Sequence, residues 1–254
     1  MSNRDNESRM GAPNIPSPEK IIEKKTTNLL DFVSPTQFVD LPSKGKFYPE
    51  HHPLHNKESI EIRFMTAKDE DILSSDSLLK KGIAIDRFLE NVIIDKTFPP
   101  DSLLIGDKNA ILIASRISGY GNIYRTEVNC PSCGHKNELA YDLNRVHVNE
   151  GLNTEGTNIT RTENGNYSVV LPVSGVTIEF RLLLSSHEKT MIKKVREAQR
   201  RKEQSTFITD QYKMMIVSAQ GVTDSFQISR FVDLMPVGDS KVLKESYKKI
   251  SPNI

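Results

Sequence analysis

Cysteine is scarce in this sequence: there are two in 254 residues, and they stand together at Cys130 and Cys133. A pair that close cannot staple distant parts of a domain, which excludes a disulfide framework and points to a reducing, cytoplasmic setting. Long apolar runs are missing too, with nothing approaching the ~20 residues of a membrane span. There is no apolar stretch in the polar, Pro-containing start MSNRDNESRMGAPNIPSPEK, so a secretion signal is not expected. Neither sign of charge is in excess: 34 Lys and Arg face 33 Asp and Glu, a formal net charge of +1. No global field therefore draws the chain to nucleic acid or to a membrane surface. Signatures of catalysis are absent as well. The sequence holds no Gly-rich phosphate loop, no Gly-x-Ser-x-Gly elbow and no His-Glu-x-x-His, and the reading is of a protein that is not an enzyme and has no small-molecule substrate. Tryptophan is also absent, which carries no functional reading.

With 37% hydrophobic residues over this length, the chain can bury one sizeable core or two small ones. Residues 1–35 are rich in Asn, Ser, Pro and charge and read as a disordered tail. A first half, 36–146, opens on the punctuated turn Leu41-Pro42-Ser43-Lys44-Gly45-Lys46-Phe47-Tyr48-Pro49. The alternation of Ile60-Glu61-Ile62-Arg63-Phe64 predicts a half-buried strand, and Thr66, with Asp69 after it, predicts a capped helix start. Leu78 and Leu79 extend that helix's apolar face, and residues 83–94 read as a second helix through Ile85, Phe88, Leu89, Val92 and Ile93. Asp107 reads as the N-cap of a third, over 109–118. Residues 123–129 and 138–143 alternate as two strands around the cysteines. Residues 147–166 are a polar linker. The second half, 167–254, begins with strands at 167–172 and 176–184, then a helix over 187–203 and another over 207–219 ended by Gly221. An apolar segment at 226–235 is expected to pack, and Asp239 reads as the cap of a last helix. Strand, turn and capped acidic helix occur near both 60–70 and 181–188, the pattern of a weak internal repeat. The expected class is α+β: mixed helices and short antiparallel hairpins, one of them zinc-ribbon-like.

Cys130-Pro131-Ser132-Cys133-Gly134-His135 has the spacing of a zinc knuckle, whose turn aims two thiolates at a soft divalent ion. A structural zinc needs four ligands. Three readings stay open: zinc completed by His135, by His147 or by a second chain; a redox pair; or a metal-free turn. His51, His52 and His55 form a further candidate metal cluster, or are simply exposed. Asp69, Glu70 and Asp71 suit either an acidic site or the positive end of a helix. Lys193, Arg200 and Arg201 lie on a basic helix that fits phosphate contacts or an acidic protein face. Leu41, Phe47 and Tyr48 are candidate partner anchors, since aromatic side chains carry much of an interface's energy; the alternative is that the rings plug the chain's own core.

The order of several strings adds a resemblance. Leu41-Pro42-Ser43-Lys44-Gly45-Lys46-Phe47-Tyr48-Pro49, Met65-Thr66-Ala67-Lys68-Asp69-Glu70-Asp71-Ile72-Leu73, Ser118-Gly119-Tyr120-Gly121 before the cysteine knuckle, and the late Asp239-Ser240-Lys241 and Ile250-Ser251-Pro252-Asn253 resemble the baseplate hub and hub-assembly proteins of T-even-type contractile-tailed phages, over roughly residues 38–254. The resemblance implies a non-enzymatic protein in the virion tail baseplate, or in the host cytoplasm during assembly, that docks onto other tail and hub proteins. It also implies that family members continuing past the Pro-Asn element carry a second Cys-x-x-Cys, which this sequence does not show. The competing class is a small zinc-ribbon factor binding nucleic acid or associated with transcription.

Overall fold

Two alternating segments set up the first sheet. In β2, Ser59–Arg63, Ile60 and Ile62 face the interior, and the strand pairs antiparallel with β1, Thr36–Asp40, Val39 lying opposite Ile60. On its other side, Ile62 bridges to Ile93. The fold is that of a computed structural model, which describes residues 33–151, 154 and 157–254. Most of the expected disordered tail, and part of the expected linker, lie outside the described residues. Pro35–Ile254 is one compact unit.

Thr66 starts α1, Ala67–Ser74, by a capping box with Asp69, as the sequence predicts. After the short α2, Asp76–Lys81, comes α3, Ala84–Val92, whose Phe88, Leu89 and Val92 pack against β2 and α4, Ile105–Tyr120, in the first core. Leu79 and Ile85, expected on apolar faces, are exposed. A hairpin follows, β3 (Ile123–Asn129) and β4 (Lys136–Asp142), close to the predicted boundaries.

The second half is a four-stranded antiparallel sheet in the order β5 (Thr160–Arg161), β6 (Tyr167–Val170), β7 (Thr177–Phe180), β8 (Ile216–Ala219). Helices α5 (Ser185–Arg201), α6 (Phe207–Met215), α7 (Ser225–Leu234) and α8 (Val237–Ile250) pack with it around a second core. The helix expected over 207–219 stops at Met215. Ile216 and Val217 are β-branched, and pairing them with β7 completes the sheet.

The weak repeat is matched in the structure by a series of recurring contacts. Leu41-Pro42 with Gly45 after β1 matches Leu171-Pro172 with Gly175 after β6, both glycines at positive φ (70° and 67°). Val39 faces Ile60 as Val169 faces Ile178. Ile62 bridges to Ile93 as Phe180 pairs with Ile216. Arg63 Nε donates to Asn91 O at 3.0 Å, and Arg181 Nε to Met214 O at 3.0 Å. Thr66 N–H donates to the Asp69 carboxylate as Leu184 N–H donates to His187 Nδ1, each pair opening a helix. In both regions a Gly-Asp in the first turn of a later helix sends its carboxylate to a strand-following turn, after β1 in one and after β6 in the other. Asp107 accepts from Ser43 N–H at 3.0 Å, and Asp239 from Val173 N–H at 2.7 Å and Ser174 N–H at 3.0 Å. Asp107 and Asp239 are therefore not the caps the sequence suggests: they sit inside α4 and α8, whose N-caps are Leu104 and Pro236. The two regions are joined by Ser185 N–H to Leu103 O (2.7 Å), the Leu104–Leu184 bridge and the Lys108–Glu188 ion pair, and the Asn149–Asn253 bridge ties the intervening segment to the C-terminal end. The hairpin β3–β4 has no counterpart in the second half.

Candidate docking surfaces and the cysteine hairpin

Leu41 and Tyr48, candidates for partner anchors, are 2% and 4% exposed and belong to the first core. They are corrected from surface anchors to core residues. A tyrosine is buried readily when its hydroxyl finds partners, and Tyr48 finds two: it donates to Asp107 Oδ2 (2.7 Å) and accepts from Leu104 N–H (3.0 Å). Ser43 Oγ also donates to Asp107, at 2.6 Å. Burial raises the Asp107 carboxyl above its ordinary range, and burial with the nearby Asp107 charge raises the Tyr48 phenol well above its own. Phe47 is half-buried and touches both cores.

The histidine run supports this loop. His52 stacks on Tyr48 with ring centroids 4.5 Å apart. Its Nδ1 accepts from Leu54 N–H (3.1 Å), so Nε2 carries the proton and donates to Ser102 Oγ (3.0 Å). His55 Nδ1 donates to Tyr48 O at 2.7 Å. Among the described residues, no three His, Cys, Asp or Glu side chains are grouped as a metal would require. The acidic run is used locally too. Asp69, with no exposed surface, takes both Arg63 guanidinium nitrogens (2.6 and 2.9 Å) and the Thr66 N–H and hydroxyl (2.9 and 2.8 Å). Burial alone would raise its pKa, but the Arg63 and Thr66 donors hold it down at about 2.

On α5, Lys189 pairs with Asp86 and Asp101, and Lys194 with Asp210. Lys193, Arg200 and Arg201 are exposed, and none makes an ion pair with another described residue. Spacings of seven and eight put them on one helix face, with Glu197 between them. Sequence reasoning missed a second set of exposed residues. Val173, Phe226, Leu234 and Val237 are 62%, 67%, 78% and 83% exposed. The segment 226–235 was expected to pack, and only Ile228 and Val232 of α7 are fully buried. The available signal was an excess: α7 carries more apolar residues than one buried helix face can use.

The cysteines lie at the tip of the β3–β4 hairpin. Cys130 N–H donates to His135 O (2.8 Å) and Gly134 N–H to Cys130 O (2.9 Å), with Gly134 at φ 70°. The amides of Cys133 and then Ser132 point at the Cys130 sulfur and, with the Cys133 thiol, hold it below the ordinary thiol range. Cys133 is exposed, and His135 and His147 are not brought into one group with the pair. Cross-strand partners place Tyr124 with Tyr141, Thr126 with Leu139 and Val128 with Asn137 on one face. Four of those six residues are apolar or aromatic, and Tyr124, Val128, Leu139 and Tyr141 are all exposed, Tyr124 with the Arg116 guanidinium 5.9 Å from its ring centroid.

These features define the class: an α+β protein of one compact unit in which several contacts recur in two places, with an exposed cysteine hairpin. Residues 34–237 match the model of the family described as T4 bacteriophage base plate protein, and the chain belongs to that family. It is a phage baseplate protein of the T4 type. No curated protein matches the chain, and no solved structure does.

Proposed function

We propose that the chain works at the central hub of the baseplate, as a hub component or hub-assembly factor, by docking onto other tail proteins and without catalysis. The observation that supports this reading is the exposure of the apolar side chains Val173, Phe226, Leu234 and Val237, which are available to a partner. The basic face of Lys193, Arg200 and Arg201 offers a second contact, suited to an acidic partner surface.

Mass spectrometry of intact virions, isolated baseplates and infected-cell lysate tests the reading. The protein is expected with central hub intermediates; its presence in virions marks a permanent component, and its loss before the virion marks an assembly factor. Recovery only with peripheral baseplate parts, or with none, overturns the hub assignment. Duplex DNA binding with a steep salt slope would transfer the chain to the zinc-ribbon, nucleic-acid class instead.

A further inference from the structure

We propose that Cys130 and Cys133 are half of a zinc site that a second copy of this chain completes, the two hairpins docking through their bare apolar faces. Three observations of the hairpin converge on it, none of which depends on the hub reading.

The first is the form of the tip. Its backbone is closed by Cys130 N–H to His135 O and by Gly134 N–H to Cys130 O. This closed turn carries Cys130 and Cys133 together at the tip between β3 and β4. A Cys-x-x-Cys turn of this form is the one zinc knuckles use to aim two sulfurs at one ion.

The second is a count of ligands. A structural zinc is closed by four, with four cysteines among the common sets. Here two sulfurs are close together and no third described His, Cys, Asp or Glu joins them. His147 follows the far end of β4, and a seven-residue strand separates the tip from that end by roughly 20 Å. A zinc held by this pair takes its remaining ligands from beyond the described residues.

The third is the uncovered face beside the tip. An isolated two-stranded hairpin is marginal in water, yet β3 and β4 leave Val128, Leu139 and Tyr141 exposed on one side, with Tyr124 at its base under the Arg116 guanidinium. A second copy satisfies both deficits with one contact. A twofold axis along the hairpins sets like face on like face and both tips at the same end, so two cysteine pairs make a four-sulfur set with no other protein required. Charge does not oppose it: the chain carries a formal net charge of only +1, and the opposite hairpin face mixes Arg125 and Lys136 with Glu127 and Glu138.

The test uses the full-length protein purified without chelator, with Zn2+ as the only added metal. Native mass spectrometry and elemental analysis are expected to give a dimer holding one zinc per two chains. Chelation is expected to return zinc-free monomer. The Cys130→Ser/Cys133→Ser variant should be monomeric and zinc-free, with an unchanged denaturation midpoint. Leu139→Ser with Tyr141→Ser should keep the cysteines yet raise the dimer dissociation constant at least tenfold. Cobalt in place of zinc should give the absorption of a four-sulfur site. One zinc per monomer, a dimer that survives the serine variant, a Cys130–Cys133 disulfide in fresh protein, or no zinc uptake at all would overturn the proposal.

Discussion

Asp69 and Asp107 both have no exposed surface, yet protons act on them with opposite sign. Asp69 is drawn down from 3.8 to about 2 by Arg63 and Thr66. Its contribution is therefore complete above about pH 4 and is lost as pH falls through about 2, amounting to about 2 kcal/mol in all. Asp107 is raised by burial, so its contribution is complete below 3.8 and fades as pH rises through its higher folded value. Acid unfolding followed by circular dichroism should thus be steep between pH 4 and 2 in the native chain. In Asp69→Asn that slope should be shallower; an unchanged slope would remove Asp69 from the account. Arg63→Ala leaves the Asp69 charge buried without its main partner and should destabilise by about 3–5 kcal/mol in urea. The sequence placed Asp69 correctly, because its partners Arg63 and Thr66 are six and three positions away. It misplaced Asp107, because the donors that use its carboxylate, Ser43 and Tyr48, lie 64 and 59 positions back.

At the scale of elements, the recurring contacts supply a matched pair of turns for experiment. Gly45 and Gly175 both hold positive φ, but a Cβ at Gly45 would lie 2.4 Å from Leu54 O and from Lys57 N, whereas at Gly175 it would meet open space. Gly175→Ala should lose only the left-handed backbone term, about 1–2 kcal/mol. Gly45→Ala must also push backbone aside and should lose roughly 3 kcal/mol or more, as large effects of strain and overpacking do. Equal losses in urea titrations would break the argument. The elements legible in the sequence were those whose signal is local: β2 by alternation, α1 by its cap, the cysteine hairpin by two alternating runs about a turn. The end of α6 was not legible, since Met214, Met215 and Ile216 continue a helical period and only pairing with β7 turns Ile216 into strand. The bare face of α7 and the buried Tyr48 were hidden for the same reason: burial is decided by distant neighbours, and the residue type alone permits either.

For the molecule as a whole, the two halves share a continuous joint, while the hairpin stands apart from both cores. Ser185, Leu104 and Lys108 all reach across that joint, so chemical unfolding should be one cooperative transition with coincident probes. The hairpin is different in kind. Neither β3 nor β4 contributes a residue to either core, and at its base Leu143 N–H donates to Asn122 O at 2.8 Å. The chain ends flanking the hairpin are thus already adjacent, and loop closure there adds little entropy cost. Replacing residues 123–142 by a two-glycine link should leave the urea midpoint and slope close to native. Substituting Lys193, Arg200 and Arg201 together by Glu should likewise spare the midpoint, because exposed charges without ion-pair partners contribute little to folding. What each change should remove is association: the first the zinc-linked dimer, the second the contact with an acidic partner in the baseplate. A chain that no longer folds without its hairpin would mean the strands are part of the scaffold, and the division between frame and added docking arm would fail.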